Sequence, residues 1–341
     1  MRRMAGHIQR VKDADDLVFL TGASGFVGSH VLRALLAARY RVRALVHTAA
    51  RSLPSLEGCT LVQGDILRPG ELVHHMAGCR YLIHVASLYS FLPAMRNTIF
   101  ATNVYGSAGI LEAAQLAGIE LAIITSSSST VGPSDNEHLA TEDNWDTEYA
   151  SSAYHRSKLQ QARIALASQV PVILILPTAP VGPGDWKPTP TGKMIVDFMR
   201  GRIFATLNGG LNIVAVEDVA KAHVLALQYG RCWERYLIGG ENGSLSQLWE
   251  SLAEICGRRA PKIHIPFPLA LTLGLANELY YRIVPCRVAA PLIPLEGVRM
   301  ARHHMYVSCA KAQSELGYRA TPVIAALERA VRWYYDHGYA R

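Results

Sequence analysis

Short, unbroken apolar runs along this chain alternate with longer stretches in which apolar residues recur every three to four positions. Residues 17–20 read Leu-Val-Phe-Leu, long enough for a strand buried on both faces. In residues 26–38, Val27, Val31, Leu32, Leu35 and Leu36 fall near a 3.6-residue period, which predicts a helix with one buried face. A second strand is predicted over 41–46, a third ending within 62–66, a fourth over 81–87 and a further buried strand over 121–125. The alternation runs to Leu176. It predicts an α/β fold with a doubly wound parallel sheet. The expected division is a polar leader over 1–16, the sheet unit over 17–176 and a smaller C-terminal lobe over 177–341. Segments near 211–240 are expected to return to the sheet unit.

Glycines fall directly behind the first run, in Thr21-Gly22-Ala23-Ser24-Gly25-Phe26-Val27-Gly28. Glycine admits positive φ and a close backbone approach, and the helix that follows offers unpaired N–H groups to an anion. Strand, glycine turn and helix form the context in which this spacing reads as a pyrophosphate cradle rather than an idle turn. The sheet unit is therefore expected to be a Rossmann-type NAD(P)-binding domain. A carboxylate ending the second strand would hold the ribose 2′-hydroxyl of NAD. His47-Thr48-Ala49-Ala50-Arg51 stands there instead, with Arg43 inside the strand. These basic groups could face a 2′-phosphate, so NADP is expected, with NAD the alternative; His47 and Arg51 as solvated side chains are the plainer reading. Asp65, at the end of the third strand, could accept from the adenine amino group.

Five hydroxyl residues, Ser126, Ser127, Ser128, Ser129 and Thr130, follow the strand over 121–125, and ligands of open α/β sheets bind outside such strand ends. Tyr154 and Lys158 are four residues apart, one helical turn, so their side chains share a face. A free phenol has a pKa near ~10; a neighbouring ammonium and an oxidised nicotinamide would both favour its anion. Tyr154 could then exchange a proton with a substrate hydroxyl while hydride moves at the same carbon. Ser127 would hydrogen-bond the substrate oxygen, and Lys158 would also hold the cofactor ribose. Tyr-x-x-x-Lys alone is common on helices; with the glycine cradle and the serines it points to hydride transfer.

With these motifs the chain resembles an extended short-chain dehydrogenase/reductase of the NAD-dependent epimerase/dehydratase kind, from about Leu17 to about Tyr339. A narrower resemblance, to hopanoid-associated sugar epimerases, rests on the loop from Pro180 to Gly192 and on residues 211–220, Gly239-Gly240-Glu241-Asn242, residues 297–302 and Glu315-Leu316-Gly317-Tyr318. The same superfamily includes 3β-hydroxysteroid dehydrogenases, sterol C4 decarboxylases and dihydroflavonol reductases. The resemblance implies that Asn103 sits on a helix kink and supports a water near the lysine. It implies cofactor contacts from Gly22, Ser24, Gly25, Phe26, Val27, Gly28, His47, Arg51, Asp65, Ile66, Val85, Ala86, Ser87, Tyr154, Lys158 and Pro177. Substrate contacts are expected from Ser87, Tyr89, Ser128, Ser129, Thr178 and Lys187. The chain departs from the narrower family at His47, at Ser87 and at Ser128-Ser129, all beside cofactor and substrate.

The 341 residues are 50% hydrophobic and 18% charged, as suits a large α/β protein with one main core. Six cysteines without Cys-x-x-Cys spacing suggest thiols in a reducing cytoplasm, and the adjacent pairs His74-His75 and His303-His304 are poorly placed to share a metal, so none is expected. The net charge of +7 has no aromatic-interleaved basic patch of the kind that binds nucleic acid, but it could favour anionic lipid. Residues 263–277 carry no Asp, Glu, Lys or Arg, and a second apolar patch spans 283–295. An ordinary roof over the pocket is the plain reading; an interfacial surface that admits a lipid is the sharper one. The substrate expected is a polycyclic isoprenoid lipid, a sterol or hopanoid, or a sugar linked to one. A 3β-hydroxysteroid dehydrogenase or 4-carboxysterol decarboxylase is the alternative, and a non-catalytic NADP-sensing protein the alternative of another class. Cytoplasmic location with peripheral membrane contact is expected, and a homodimer is left open.

Overall fold

The computed structural model describes residues 10, 13, 16–47, 57–134, 138–145, 152–283 and 295–340. Strands β1 (Leu17–Thr21), β2 (Arg41–Val46), β3 (Cys59–Gln63), β4 (Tyr81–His84), β5 (Leu121–Thr125) and β6 (Val172–Pro177) alternate with helices α1 (Phe26–Ala37), α2 (Pro69–Met76), α3 (Arg96–Phe100), α4 (Gly106–Leu116) and α5 (Ala153–Ala167). The chain continues through β7 (Ala179–Val181), α6 (Pro190–Met199), β8 (Ala205–Thr206), β9 (Gly210–Ala215), α7 (Val216–Tyr229) and β10 (Arg235–Ile238). It ends with β11 (Glu241–Ser244), α8 (Leu245–Cys256), β12 (Ile263–His264), α9 (Phe267–Ile283), α10 (Leu295–Met300), β13 (His304–Met305), α11 (Ala310–Leu316) and α12 (Val323–Asp336).

Seven strands form the main sheet, in the order β10-β6-β5-β4-β1-β2-β3, and every pairing in it is parallel. The order reverses between β1 and β4, the switch point at which a Rossmann-type sheet opens a crevice beyond its strand ends. Burial of both sheet faces explains why these strands read as apolar runs: Val18, Phe19 and Leu20 are wholly buried. Val18 and Leu20 join a core with residues of α1 and α7, whereas Phe19 packs with α2, α4 and α5 on the other face. A third core, with Phe198, Trp249, Leu327 and Tyr334, holds α6, α8 and α12 together beside the sheet.

The return of the chain to the main sheet is made by α7 and β10, since β9 instead pairs with β7, β11 and β13 in a small separate sheet. The described part of the expected leader is held in place. Arg10 donates to the carbonyl oxygens of Leu227 and Gly230, and Asp13 and Asp16 both pair with Arg80. Charge thus fixes residues that carry no apolar pattern.

Candidate active site

The glycine turn follows β1 at the switch point. Gly22 has φ of +77°, and a Cβ there would lie 2.6 Å from the backbone nitrogen of Ala86, at the end of β4. A Cβ on Gly28 would fall 1.9 Å from the carbonyl oxygen of Gly22. The sequence therefore needs glycine at both positions, one for the turn and one so that α1 can start directly against it. Gly25 caps α1 without any side-chain hydrogen bond, so the first N–H groups of the helix face outward with no side-chain acceptor.

A continuous cavity of about 2220 Å³ opens from this turn across the strand ends to α9 and α10. It is lined by Gly22, Ser24, Gly25, Phe26, Val27, Gly28, His47, Asp65, Ile66, Val85, Ala86, Ser87 and Pro177 of the expected cofactor set, and by Tyr89, Ser127, Ser128, Ser129, Tyr154, Lys158 and Thr178. Pockets for single drug-sized ligands measure roughly 300–1,000 Å³, so this one has room for a dinucleotide and a second large molecule. An N–H-rich turn, a helix start and a long groove fit a bound NAD(P).

Two expectations change, those for Arg43 and Lys187. Arg43 donates to the carbonyl oxygens of His75 at 2.8 Å and Ala77 at 2.7 Å, closing the end of α2, and so does not face a 2′-phosphate. His47, exposed beyond β2, lies 3.5 Å from a carboxylate oxygen of Asp65, whose other oxygen accepts from Leu67 N at 2.9 Å. Arg51 lies outside the described residues. Lys187 is exposed on the outer side of its loop and does not line the cavity; the wall beyond it is formed by Thr189, Thr191 and Lys193.

Tyr154 and Lys158 share the face of α5 that meets β5. The Tyr154 hydroxyl is hydrogen-bonded with Ser127, its ring lies 4.3 Å from that of Tyr89, and Ser127 Oγ in turn accepts from Ser129 N at 3.2 Å. Lys158 Nζ donates to the Thr125 carbonyl at 2.9 Å and to Gln161 Oε1 at 3.0 Å. Burial governs both groups. It pushes the Tyr154 phenol up to about 12, against the Ser127 hydrogen bond, and brings the Lys158 ammonium down to about 7. The expectation that the ammonium lowers the phenol is thus not met by the protein alone, because desolvation penalises both charges.

Asn103 does lie on an irregularity, a π-helical turn over Ala101–Tyr105 between α3 and α4. It is wholly buried and does not line the cavity. Its amide accepts from Leu88 N at 2.8 Å and Ser87 Oγ at 3.1 Å, and donates to Leu88 O and Ser157 Oγ, both at 3.0 Å. Ser157 in turn donates to Tyr154 O at 2.7 Å. Asn103 therefore ties the β4 exit to the start of α5. The buried hydroxyls of Ser126 and Ser129, both on the cavity wall, have no partner among the described residues. A buried polar atom left unpaired costs about 1–3 kcal/mol, so these hydroxyls fit a site that receives a polar ligand group.

The far half of the cavity is mainly apolar, with Asn277 and Glu278 of α9 also on its wall. Leu275, Leu279, Leu295, Val298, Met300 and Met305 line it, from α9, α10 and β13. Among the described residues its two cations, Lys193 and Arg299, are paired with Asp197 and Glu296, which line the same wall. Of the segment without charge only Leu275 and Asn277 line the cavity, and the part of the second apolar patch over 284–294 lies outside the described residues.

The sequence profile of the NAD-dependent epimerase/dehydratase family matches residues 18–239. A Synechocystis sp. protein provisionally named dihydroflavonol 4-reductase is 38% identical over 336 residues, covering 96% of each chain. Sterol demethylase protein B of Methylococcus capsulatus is 29% identical, over 94% of this chain and 98% of its own. Among solved structures, that of gox2253 superposes with a TM-score of 0.83 at 34% identity, over 96% of this chain and all of that one.

Proposed function

The chain belongs to the NAD-dependent epimerase/dehydratase family, and on that premise we propose that it transfers hydride at a secondary alcohol or ketone of a polycyclic isoprenoid lipid, of sterol or hopanoid kind. The observation that carries this reading is the far half of the cavity. A nucleotide sugar brings a second diphosphate that unpaired cations would favour, and among the described residues the two cations there are paired with Asp197 and Glu296. A sterol-like body needs apolar walls, and α9, α10 and β13 supply them. A similar chain named as a sterol demethylase protein agrees with this choice.

When bound, NAD(P) accepts or supplies the hydride. Gly22, Gly28 and the start of α1 would hold its pyrophosphate, and Lys158 its ribose. In the oxidative direction the substrate C–H bond breaks as hydride leaves, while the hydroxyl proton passes to the Tyr154 phenolate and the C=O bond forms. Ser127 orients the substrate oxygen, and the phenolate gains stability from the Ser127 hydrogen bond and from the positive charge of Lys158 and the oxidised nicotinamide. Ser126 and Ser129 stand where a second polar group of the substrate would find hydroxyl partners. NADP is proposed as the cofactor on the strength of His47 where a carboxylate would select NAD.

Leu269 and Leu273 of α9, 52% and 41% accessible, do not line the cavity and form an exposed apolar face of the helix. We place this face at the surface of an anionic membrane, which would deliver the lipid to the roof. No helix among the described residues is long and apolar enough to cross one. The test is incubation with NADP or NAD and a panel of 3β-hydroxysterols, 4-carboxysterols, hopanoids and nucleotide sugars, with products read by mass spectrometry. A keto-lipid product supports the proposal; turnover of nucleotide sugars alone defeats it.

A further inference from the structure

The hydrogen bonds that hold Lys158 do not stop at Gln161. Gln161 Nε2 donates to Ser107 Oγ at 2.7 Å, and Ser107 Oγ lies 2.9 Å from His84 Nε2. His84 Nδ1 lies 2.8 Å from Thr21 Oγ1, which also accepts from Ala86 N at 3.2 Å. The five residues come from α5, α4, β4 and β1, and none is more than 1% exposed. The last bond ends at the nitrogen of Ala86, the atom that a Cβ on Gly22 would meet first, at 2.6 Å. One chain of bonds therefore runs from the lysine to the backbone packed against the glycine turn.

Chemistry sets the direction of each bond. An ammonium only donates, so Gln161 must turn its oxygen to Lys158 and its NH₂ to Ser107. Ser107, having accepted, gives its own proton to His84 Nε2. His84 then carries its proton on Nδ1, aimed at Thr21. A second imidazole proton would face Ser107 with another donor and reverse that order; burial, and then the charge of Lys158, hold His84 at about 3 and so keep it neutral. A half-satisfied buried network would be costly, and no side-chain nitrogen or oxygen of these five residues lacks a partner.

We propose that Gln161, Ser107 and His84 are positioning residues that fix the direction of the Lys158 amino group and tie it to the glycine cradle. This rests on the assignment of Lys158 to the active site made above. The titratable groups that face the chain are Tyr154 from α5, Tyr89 from the segment after β4, His84 itself and, through Thr125, His223 from α7. Gln161→Glu keeps the shape and puts a carboxylate where the neutral acceptor stands, which raises a lysine by about 1–3 pH units. Gln161→Leu removes the acceptor, and His84→Gln interrupts the chain two bonds away.

The test follows the Lys158 signal of ¹³C-lysine-labelled protein by NMR titration, with the signal assigned by its loss in Lys158→Met, and measures NADP and NAD binding calorimetrically. The native midpoint is expected near 7, moving up by at least about one pH unit in Gln161→Glu. NADP affinity is expected to fall about tenfold in Gln161→Leu and in His84→Gln, the equivalent of one lost hydrogen bond. A merely structural network would lower thermal stability and leave the NADP affinity of Gln161→Leu and His84→Gln unmoved; that result overturns the proposal. If Gln161→Leu does not fold, the affinity of His84→Gln decides. Unchanged NADP affinity in Lys158→Met would instead remove the active-site assignment of the lysine, whatever the Gln161 variants do.

Discussion

Gly28→Ala is predicted to destroy cofactor binding while its neighbour Gly25→Ala is tolerated. The new Cβ at Gly28 would stand 1.9 Å from the Gly22 carbonyl oxygen, where ordinary contact begins at 3.4 Å. The obstacle is backbone, so α1 must move away from the turn by on the order of 1 Å, a displacement of the size that costs about 10²-fold in a positioned site. The same figure follows from the loss of one charge-assisted N–H bond to the pyrophosphate, worth about 1.5–3 kcal/mol, with 1.4 kcal/mol per tenfold. At Gly25 the Cβ would meet the same oxygen at 3.3 Å, which a shift of a few tenths of an ångström relieves, and the affinity should stay within about tenfold. Calorimetric titration with NADP and NAD measures both, with circular dichroism to confirm that each variant is folded. A folded Gly28→Ala that binds either cofactor within threefold of the native protein would refute the assignment of this turn as the cradle.

NADP should bind more tightly than NAD, and His47→Asp should reverse the order; tighter NAD binding by the native protein would show that the end of β2 does not meet a 2′-phosphate. Stability should fall as the pH drops from about 6.5 toward 4. His84 and His223 are buried and neutral, depressed to about 3 and about 4, so in that window the unfolded chain binds more protons and stability rises with pH. Thermal melts should show a slope approaching ~1.4 kcal/mol per pH unit for each proton, reduced in His223→Gln, and an unchanged slope in that variant would contradict the assignment. Replacing Leu269 and Leu273, 52% and 41% exposed, with serine should weaken association with anionic liposomes without lowering the melting temperature; equal liposome binding would remove the membrane face.

The elements that build the cradle were legible because their signals are local. The apolar runs over 17–20 and 121–125, the period of α1 and the Tyr154–Lys158 spacing each lie within one element and survive folding. What was not legible depends on partners far along the chain. Arg43 looks available in sequence, yet the end of α2 claims it across 32 residues. Lys187 sits in a loop whose turn, held by Asp185 accepting from Thr189 N at 2.9 Å, throws it outward. His84 and Gln161 gave one faint signal, a polar residue in an otherwise apolar strand or on a buried helix face, and only the fold shows that Ser107 joins them. The upward push on Tyr154 follows from burial, which a motif does not report.

The central claim is that Tyr154 moves a proton while hydride moves at a lipid carbinol, and Tyr154→Phe tests it most directly. The change keeps the ring against Tyr89 and removes only the hydroxyl bonded with Ser127. With the substrate found from the lipid panel, the account predicts cofactor affinity close to native and turnover lower by about 10²–10⁴-fold. A Tyr154→Phe protein that keeps more than a tenth of native turnover on that substrate would contradict it.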